Sequence, residues 1–302
     1  MVLFGIVMLK FVEDRKTSYR FSKPLPQSRI GWGFICKKRK LNRLKCTIMK
    51  TKADRFGVVY SADGRQLLYC RNKKLREYTV KEGTVEIAEY AFEDCEILEH
   101  IILPESLLTI GDSAFYDCFS LKSIMLPKSM ENIGKCAFGR CFVLEEMNID
   151  SANPYFTSVD NVLFNRDMTR IVQYAPGKPD SHYVIPNSIT EIASYAFYSC
   201  CELKSVVVPD GVTKIDDMTF HYCKQLESVT IPTSVRAIGK CVFANCSNLK
   251  SIFIPKSVEK IGLGTFDYCW ELKIRCEAES EPEGWEEGWN IHPRPVVWGV
   301  KS

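Results

Sequence analysis

The sequence predicts a mainly β solenoid with one short strand in each 23-residue turn, interrupted by β-hairpin modules. Phenylalanine recurs every 23 residues in two series, Phe92, Phe115 and Phe138, then Phe197, Phe220, Phe243 and Phe266. A fixed period of this length is typical of solenoids, because each unit is too small to bury its own apolar face and stacks on its neighbours. The spacing breaks between the two series, which predicts an inserted module there.

Each turn also contains a short segment in which apolar residues alternate. Leu203, Val206 and Val208 show this alternation, which is typical of a strand with one buried face. A proline follows the segment, and it ends the strand because it has no N–H to donate to a ladder. A Pro-x-Ser-Val turn comes next, and an isoleucine behind it completes the predicted core of the turn.

Two further segments have a strand, turn, strand order and predict the hairpins. VVYSADGRQLLYC contains Asp-Gly between β-prone runs, which is a strong hairpin signal. VLFNRDMTRIVQY resembles it and lies in the break between the two phenylalanine series. The chain is therefore predicted to be a double unit, in which one hairpin precedes three turns and a second hairpin precedes four.

These patterns divide the chain into six predicted segments. They are a basic N-terminal tail (1–48), a hairpin cap (49–80), repeats one to three (81–149), an inserted hairpin module (150–185), repeats four to seven (186–276) and a Trp-rich C-terminal cap (277–302). Residues 1–12 are apolar but lack the features of a signal peptide and are too short to span a bilayer. Met49 opens the ordered pattern, and we hypothesise that the native protein starts there.

The charge distribution argues against a nucleic-acid partner. The net charge is +3, but residues 1–50 carry a balance of +11 and the rest of the chain −8. Phosphate binding needs a basic stripe, and the repeat body is mildly acidic. The KKRK cluster of the tail is interpreted as a solvated segment, with a nuclear or polyanion-binding signal as the alternative.

The cysteines predict a buried ladder of reduced thiols. Each lies three residues after a repeat phenylalanine, and the set is Cys95, Cys118, Cys141, Cys200, Cys223, Cys246 and Cys269. A position filled identically in every turn points the same way in every turn, and buried cysteine acts as a small hydrophobe. Cys136 and Cys241 add second thiols, but no CxxC pair or convergent histidine accompanies them, so no metal site is predicted.

No catalytic motif is present, and no enzyme or cofactor is predicted. HExxH, GxSxG, a Gly-rich phosphate loop and an EF-hand are all missing from the sequence. A nucleophilic pair of Cys201 or Cys223 with His221 is the alternative, but ladder cysteines are expected to be buried and unactivated.

The candidate binding site is the solvent face of the predicted strand column. Strand residues between the buried ones form two rows, the first His100, Ser123, Glu146, Ser205, Ser228 and Ser251, the second Ile102, Met125, Asn148, Val207, Thr230 and Phe253. Neighbouring strands lie about 4.8 Å apart, so the rows are predicted to be continuous surfaces. The second row has two readings: a protein-binding surface, or the general preference of strands for apolar residues.

A third row alternates in charge and predicts a stabilising ladder, with a docking code for a partner as the alternative. It contains Glu99, Lys122 and Glu145 in the first series and Lys204, Glu227 and Lys250 in the second. Opposite charges side by side on a sheet contribute about 0.2–1 kcal/mol per pair. We therefore expect Glu227→Lys to lower stability.

Taken together, the repeats resemble those of the BspA-like leucine-rich-repeat family. The motif LxxIxIPxSVxxIGxxAFxxC is written almost unaltered in Leu226–Cys246 and Leu249–Cys269, and the resemblance covers roughly 56–302. It implies a right-handed solenoid and protein-binding roles, often on bacterial cell surfaces as adhesins or antigens. The chain has no legible secretion signal, which favours a cytoplasmic location over the surface location that the resemblance implies.

The sequence thus predicts a non-enzymatic protein-interaction scaffold that binds an unidentified protein and has no membrane span. Two alternatives stay open, a purely intracellular scaffold and a glycan-binding module. The glycan alternative depends on Trp285, Trp289 and Trp298, which could form a sugar-stacking platform or cover the end of the stack. The covering role is favoured, because a solenoid end exposes its core unless something shields it.

Overall fold

The computed structural model describes residues 51–301, which form 23 β-strands and no helix. The expected tail (1–48) and the hypothetical start at Met49 lie outside the described residues. The first block, residues 51–149, contains β1 (Lys52–Ala53), β2 (Val58–Tyr60), β3 (Gln66–Cys70), β4 (Glu77–Thr79), β5 (Glu86–Ile87), β6 (His100–Ile102), β7 (Thr109–Ile110), β8 (Ser123–Leu126), β9 (Asn132–Ile133) and β10 (Glu146–Ile149).

The second block, residues 150–301, repeats this order with one additional turn. Its strands are β11 (Phe156–Val159), β12 (Val162–Asn165), β13 (Arg170–Tyr174), β14 (His182–Val184), β15 (Glu191–Ile192), β16 (Ser205–Val207), β17 (Lys214–Ile215), β18 (Ser228–Thr230), β19 (Ala237–Ile238), β20 (Ser251–Ile254), β21 (Lys260–Ile261), β22 (Lys273–Cys276) and β23 (Val296–Val297).

The turns stack through two columns of parallel strands, which confirms the predicted solenoid. The front column consists of β4, β6, β8 and β10 in the first block and of β14, β16, β18, β20, β22 and β23 in the second. Apart from β4, β14 and β23, its strands are the ones that the alternating pattern predicted. Partners in neighbouring turns stand 23 residues apart, as Val206 and Val229 do.

The side column is a second strand in each turn, in addition to the one that the sequence predicted. It consists of β5, β7 and β9 in the first block and of β15, β17, β19 and β21 in the second. These strands contain two residues each, too few for alternation to be visible in a sequence. One residue of each pair, such as Ile192 or Ile215, points into the core and is fully buried in these two cases.

Both hairpins extend the side column in the same way. Strands β1, β2 and β3 pair antiparallel, and β3 then pairs parallel with β5. Strands β11, β12 and β13 repeat this arrangement, and β13 pairs parallel with β15. Each block therefore begins with an antiparallel ribbon that leads into the parallel stack.

Stacked phenylalanine rings form the centre of each block. Ring centroids of Phe220 and Phe243 lie 5.6 Å apart with nearly parallel planes, and Phe92 and Phe115 lie 5.3 Å apart in the same manner. All seven repeat phenylalanines are fully buried or nearly so. Such offset ring pairs add about 0.5–1.5 kcal/mol beyond the area that they bury.

The ladder cysteines are buried thiols, and no disulfide forms in the described part of the chain. Five of the seven donate through Sγ to the carbonyl oxygen of the phenylalanine in the preceding turn: Cys118, Cys141, Cys223, Cys246 and Cys269. The distance is 3.0 Å from Cys223 to Phe197 and 3.1 Å from Cys246 to Phe220. The repeated cysteine thus fills a small apolar site and satisfies a buried carbonyl oxygen.

The AFxxC segment of each turn contains two residues with positive φ, one two positions before the phenylalanine and one two positions after it. The φ values lie between 52° and 67°, and the residues are rarely glycine, as Met218 and Tyr222 show. This geometry directs alternate N–H groups to the next turn: Met218 donates to Lys240 at 2.9 Å and Tyr222 to Ala244 at 2.9 Å. The N–H groups of this buried backbone therefore find hydrogen-bond acceptors although the segment is not a regular strand.

The inserted hairpin lies between the cores of the two blocks. Leu163 packs into the core of the first block, whereas its neighbours Val162 and Phe164 pack into the core of the second. Successive strand residues point to opposite faces, so one strand can contribute to both cores. The hairpin therefore covers the end of one stack and begins the next.

The tryptophans cover the last turn. Trp289 meets Phe266 edge-on at 5.9 Å, and Trp285 Nε1 donates to the Val258 carbonyl oxygen at 3.2 Å. Trp285 and Trp289 are buried, and Trp298 packs against the same core. The sugar-stacking alternative is therefore wrong for Trp285 and Trp289, because a sugar cannot reach rings that are enclosed in the core.

Candidate functional site

The front column presents the two predicted rows to solvent. Its inward residues, such as Ile124 and Val206, are buried, and the residues between them point outward. Most of the twelve candidates are exposed: His100, Ile102, Met125, Glu146, Val207, Ser228, Thr230 and Ser251. The others are half-buried: Ser123, Asn148, Ser205 and Phe253.

The register brings these residues together within each block but not across the whole chain. Ser123 stands opposite Glu146 and Met125 opposite Asn148, where β8 pairs with β10. The front strands β6 and β8, and β18 and β20, are not paired but lie in contact, whereas β14 pairs with β16 and neither pairs with nor packs closely on β10. The expectation of continuous rows is therefore corrected to two front faces, because the inserted hairpin separates the blocks.

The front face of the first block carries an exposed apolar patch, formed by Phe56, Ile102 and Met125. Ile102 is 64% exposed, Met125 60% and Phe56 42%. Ile102 and Met125 occupy the same position in consecutive turns. Ile102 and Phe56 line a cleft of about 310 Å³ together with Arg55, Glu77, Tyr78, Thr79 and His100.

Buried tyrosines hold the rim of this cleft in place. The hydroxyl of Tyr78 donates to Asp54 Oδ2 at 2.6 Å and lies 2.6 Å from the hydroxyl of Tyr60. Phe56 meets the Tyr78 ring edge-on at 5.9 Å, and the Arg55 guanidinium lies 4.6 Å from the centre of the Phe56 ring. The patch is thus a fixed surface with a positive charge at its margin.

The front face of the second block is more polar. Val184, 68% exposed, stands beside Val207, and Thr230 follows in the next turn. His182 Nδ1 lies 2.7 Å from Ser205 Oγ, which joins the first two strands of this face. The exposed apolar area of this face is therefore concentrated on its first two strands.

Sequence reasoning missed the first strand of each front face. Glu77 and Thr79 pair with His100 and Ile102, and His182 and Val184 pair with Ser205 and Val207. The missed residues stand one period of 23 residues upstream of predicted ones. Extending the period by one turn would have found them, whereas Phe56 lies in a hairpin and no periodicity predicts it.

The charged row forms fewer ion pairs than its alternation predicts. Lys122 Nζ lies 3.9 Å from Glu99 Oε2, and Glu99 also pairs with Arg76. Within residues 51–301, Glu227 has no ion pair within 4 Å. The expected effect of Glu227→Lys therefore lacks the contact on which it depended.

The thiol and imidazole of the hypothetical nucleophilic pair are not activated. Burial raises the pKa of Cys201 to about 12, and burial lowers the pKa of His221 to about 4. The His221 Nε2 atom lies 3.0 Å from the Asn245 amide nitrogen. A protonated thiol is a poor nucleophile.

Metal and membrane sites are absent from the described residues. No three side chains of His, Cys, Asp or Glu in 51–301 are arranged to hold a metal ion. The same range contains no helix long and apolar enough to cross a membrane.

The family follows from this architecture and from a match to a family model. The model described as "BspA type Leucine rich repeat region (6 copies)" matches residues 67–175 and 179–278. The chain therefore belongs to the BspA-type leucine-rich-repeat family, as the motif predicted. No curated protein matches the chain.

Solved bacterial structures share the fold. A leucine-rich cell surface protein from Faecalibacterium prausnitzii is 27% identical with a TM-score of 0.65, and the match covers 76% of this chain and 61% of that one. The pneumococcal vaccine antigen PcpA is 24% identical with a TM-score of 0.62, over 74% of this chain and 62% of that one. A leucine-rich repeat protein from Eubacterium ventriosum is 17% identical with a TM-score of 0.53, over 84% and 94%.

The chain spans about three fifths of the length of the first two of these proteins. The similarity to PcpA and to the Eubacterium protein, each under 25% identical, describes the fold.

Proposed function

We propose that this chain is a non-enzymatic scaffold that binds another protein through the front face of its first block. The observation that carries the proposal is the patch of Phe56, Ile102 and Met125. Its side chains do not contribute to the core, and they stand on a frame fixed by stacked turns. Exposed apolar clusters of this kind are typical of protein-binding surfaces.

The composition of the margin supports a protein partner. Arg55, Glu77 and His100 surround the apolar centre of the patch, in the arrangement of apolar core and polar rim that protein interfaces share. The cleft of about 310 Å³ lies at the lower end of the range of small-molecule sites, and the exposed apolar patch extends beyond it to Met125. The part of the molecule that is best suited to binding is therefore a broad surface.

A photo-crosslinking experiment tests the proposal. Benzoylphenylalanine replaces Met125 in the front face, and in a matched control it replaces Val143, which is exposed but lies outside the strand column. We expect a discrete crosslinked partner in extracts of the source cells from position 125 alone. Adding Ile102→Ser to the probe protein should reduce that product at least about tenfold, because an apolar anchor is lost.

The stability of Ile102→Ser and Met125→Ser distinguishes a binding role from a structural one. Both side chains are more than half exposed, so we expect each change to alter the free energy of unfolding by less than about 0.5 kcal/mol. Loss of folding, or equal crosslinking from positions 125 and 143, would contradict the proposal.

We propose further that this binding takes place at the cell surface. The support is the similarity to the Faecalibacterium protein, which is a leucine-rich cell surface protein. Protease treatment of intact source cells, followed by mass spectrometry, tests this location. Release of peptides from residues 51–301 is the expected result, and complete protection until lysis would favour an intracellular scaffold.

A further inference from the structure

The side column of the first block ends in an unpaired strand edge. Strand β9 is the outer strand of its six-stranded sheet and pairs with β7 alone. On its outer side lies an open groove of about 360 Å³, lined by β9, by the inserted hairpin and by the first turns of the second block. This groove is distinct from the front faces.

The other turns show that the isoleucine carbonyl oxygen at such an edge normally accepts a hydrogen bond from a backbone N–H. A backbone N–H of the next turn usually donates to the isoleucine carbonyl oxygen of the side strand, as Gly134 does to Ile110 at 2.7 Å and Gly262 to Ile238 at 2.9 Å. At the end of the second block a non-repeat segment takes this role, and Glu286 N–H donates to Ile261 at 2.8 Å. No donor within residues 51–301 reaches the Ile133 carbonyl oxygen.

The charges beside β9 define a complementary sequence. Glu131 and Lys135 flank the strand, are exposed, and make no ion pair in the described part of the chain. Other charged groups of the groove are paired, Arg170 with Glu191 at 2.8 Å and Asp216 with Lys214 at 2.5 Å. A ligand strand with opposite charges at these positions would carry a basic residue beside Glu131 and, four positions later, an acidic residue beside Lys135.

At each of these two positions, one pair of consecutive turns in the second block carries opposite charges. Arg236 and Glu259 occupy the position of Glu131 in consecutive turns, and Asp217 and Lys240 occupy the position of Lys135. The Asp217 carboxylate also accepts a hydrogen bond from the Lys240 amide at 2.8 Å. A ligand strand at β9 with a basic and an acidic residue at these positions would repeat these two pairings.

We propose that β9 binds an extended peptide of a partner protein by strand addition, with the pattern basic-x-aliphatic-x-acidic. The peptide runs parallel to β9, and the N–H that follows its aliphatic residue donates to the Ile133 carbonyl oxygen. The half-buried side chains of Ile133, Phe156 and Val172 give the groove an apolar floor. Strand addition derives affinity from main-chain bonds and specificity from side chains.

Two fluorescent peptides test the proposal with the full chain. The probe SVRAIGD carries the predicted charges, and SVEAIGK carries them reversed. We expect the protein to prefer SVRAIGD by on the order of fivefold in fluorescence anisotropy, from two complementary charge pairs. A version of SVRAIGD with N-methylglycine in place of glycine should bind at least fivefold more weakly, because the donor to Ile133 is removed.

The double variant Glu131→Lys, Lys135→Glu provides the matched control. Both residues are exposed, so the fold should persist, and the preference should invert in favour of SVEAIGK. Amide exchange at Ile133 should slow when the preferred peptide is bound. An unchanged preference in the double variant, insensitivity to N-methylation, or no saturable binding of either peptide would overturn the proposal and leave these charges as protection against edge aggregation.

Discussion

His221 shows how a single residue can depart from the chemistry that its type suggests. It follows a repeat phenylalanine, and its ring contacts Tyr198 edge-on at 5.2 Å. Its Nδ1 atom is enclosed and has no hydrogen-bond partner within residues 51–301. The ring is therefore a packed, neutral group, and its titration is coupled to folding.

We expect His221 to make the protein less stable in acid. Burial lowers its pKa from 6.5 to about 4, so between these values the unfolded chain binds a proton that the folded chain does not. Stability is retained above pH 6.5 and falls as the pH drops toward 4, by about 2–3 kcal/mol from this group. The difference in urea midpoint between pH 7 and pH 4.5 measures it.

The variant His221→Gln should reduce this pH dependence, because glutamine does not titrate and can still accept a hydrogen bond from Asn245. His182→Gln is the control, since His182 is exposed on the front face. Equal pH dependence of the wild type and His221→Gln would contradict the assignment.

At the scale of the element, a serine of the next turn holds several of the turns that follow front strands, and Ser106, Ser129 and Ser234 take this role. Ser129 Oγ donates to Leu107 at 2.7 Å, and Ser106 Oγ donates to Thr84 at 2.8 Å. After the last turn of the first block there is no following turn, and Asn153, which belongs to the inserted hairpin module, takes this role. Its Nδ2 donates to Met130 at 2.8 Å, and its Oδ1 accepts from the Phe156 amide at 2.7 Å.

Asn153→Asp should destabilise the junction between the third turn and the hairpin by about 3 kcal/mol. The carboxylate keeps the acceptors but removes the donor and places a buried charge against backbone carbonyl oxygens. Asn153 is almost fully buried. Chemical denaturation measures the loss.

Asn187→Asp is the matched control, because Asn187 is exposed in the middle of a Pro-x-Ser turn. It should change stability by less than about 0.5 kcal/mol. Similar losses in both variants would show that the Asn153 hydrogen bonds are not the cause.

At the scale of the whole molecule, an aromatic cluster around Arg140 joins the two blocks. The guanidinium lies 5.4 Å from the centre of the Phe119 ring and 5.9 Å from that of Tyr222, and it pairs with Asp117 at 3.0 Å. The hydroxyls of Tyr116 and Tyr198 lie 3.1 Å apart across the same junction. These contacts connect turns that are separated by the inserted hairpin.

We expect Arg140→Met to uncouple the unfolding of the blocks. Removing one partner of a buried ion pair costs about 3–5 kcal/mol, and this loss falls at the junction. Trp270, Trp285, Trp289 and Trp298 all lie in the second block. In a Trp32→Phe background, fluorescence therefore reports the second block and circular dichroism reports both.

The two signals should coincide during urea unfolding of the parent protein and separate in Arg140→Met. Arg236→Met is the control, because Arg236 is exposed and distant in sequence from the junction. Coincident curves with an unchanged midpoint in Arg140→Met would contradict a coupling role for the cluster.

The repeat sequence by itself determined the stack. Phe220 and Cys223 recur at the period of the turn, and a position that repeats at that period must face the same way in every turn. The front strands and their exposed residues, Ile102 and Met125 included, followed from alternation between buried and exposed positions. Periodicity is a local property, so one sequence was sufficient to reveal it.

Only the tertiary structure decided how the turns close and where the stack is interrupted. The side strands contain two residues each, and Met218 and Tyr222 adopt positive φ without glycine, so neither feature leaves a local signal. The contacts of Arg140 and Asn153, the division of the front rows and the open edge at β9 depend on residues brought together by the inserted hairpin. Such contacts are set by packing between distant segments, and no period along the chain encodes them.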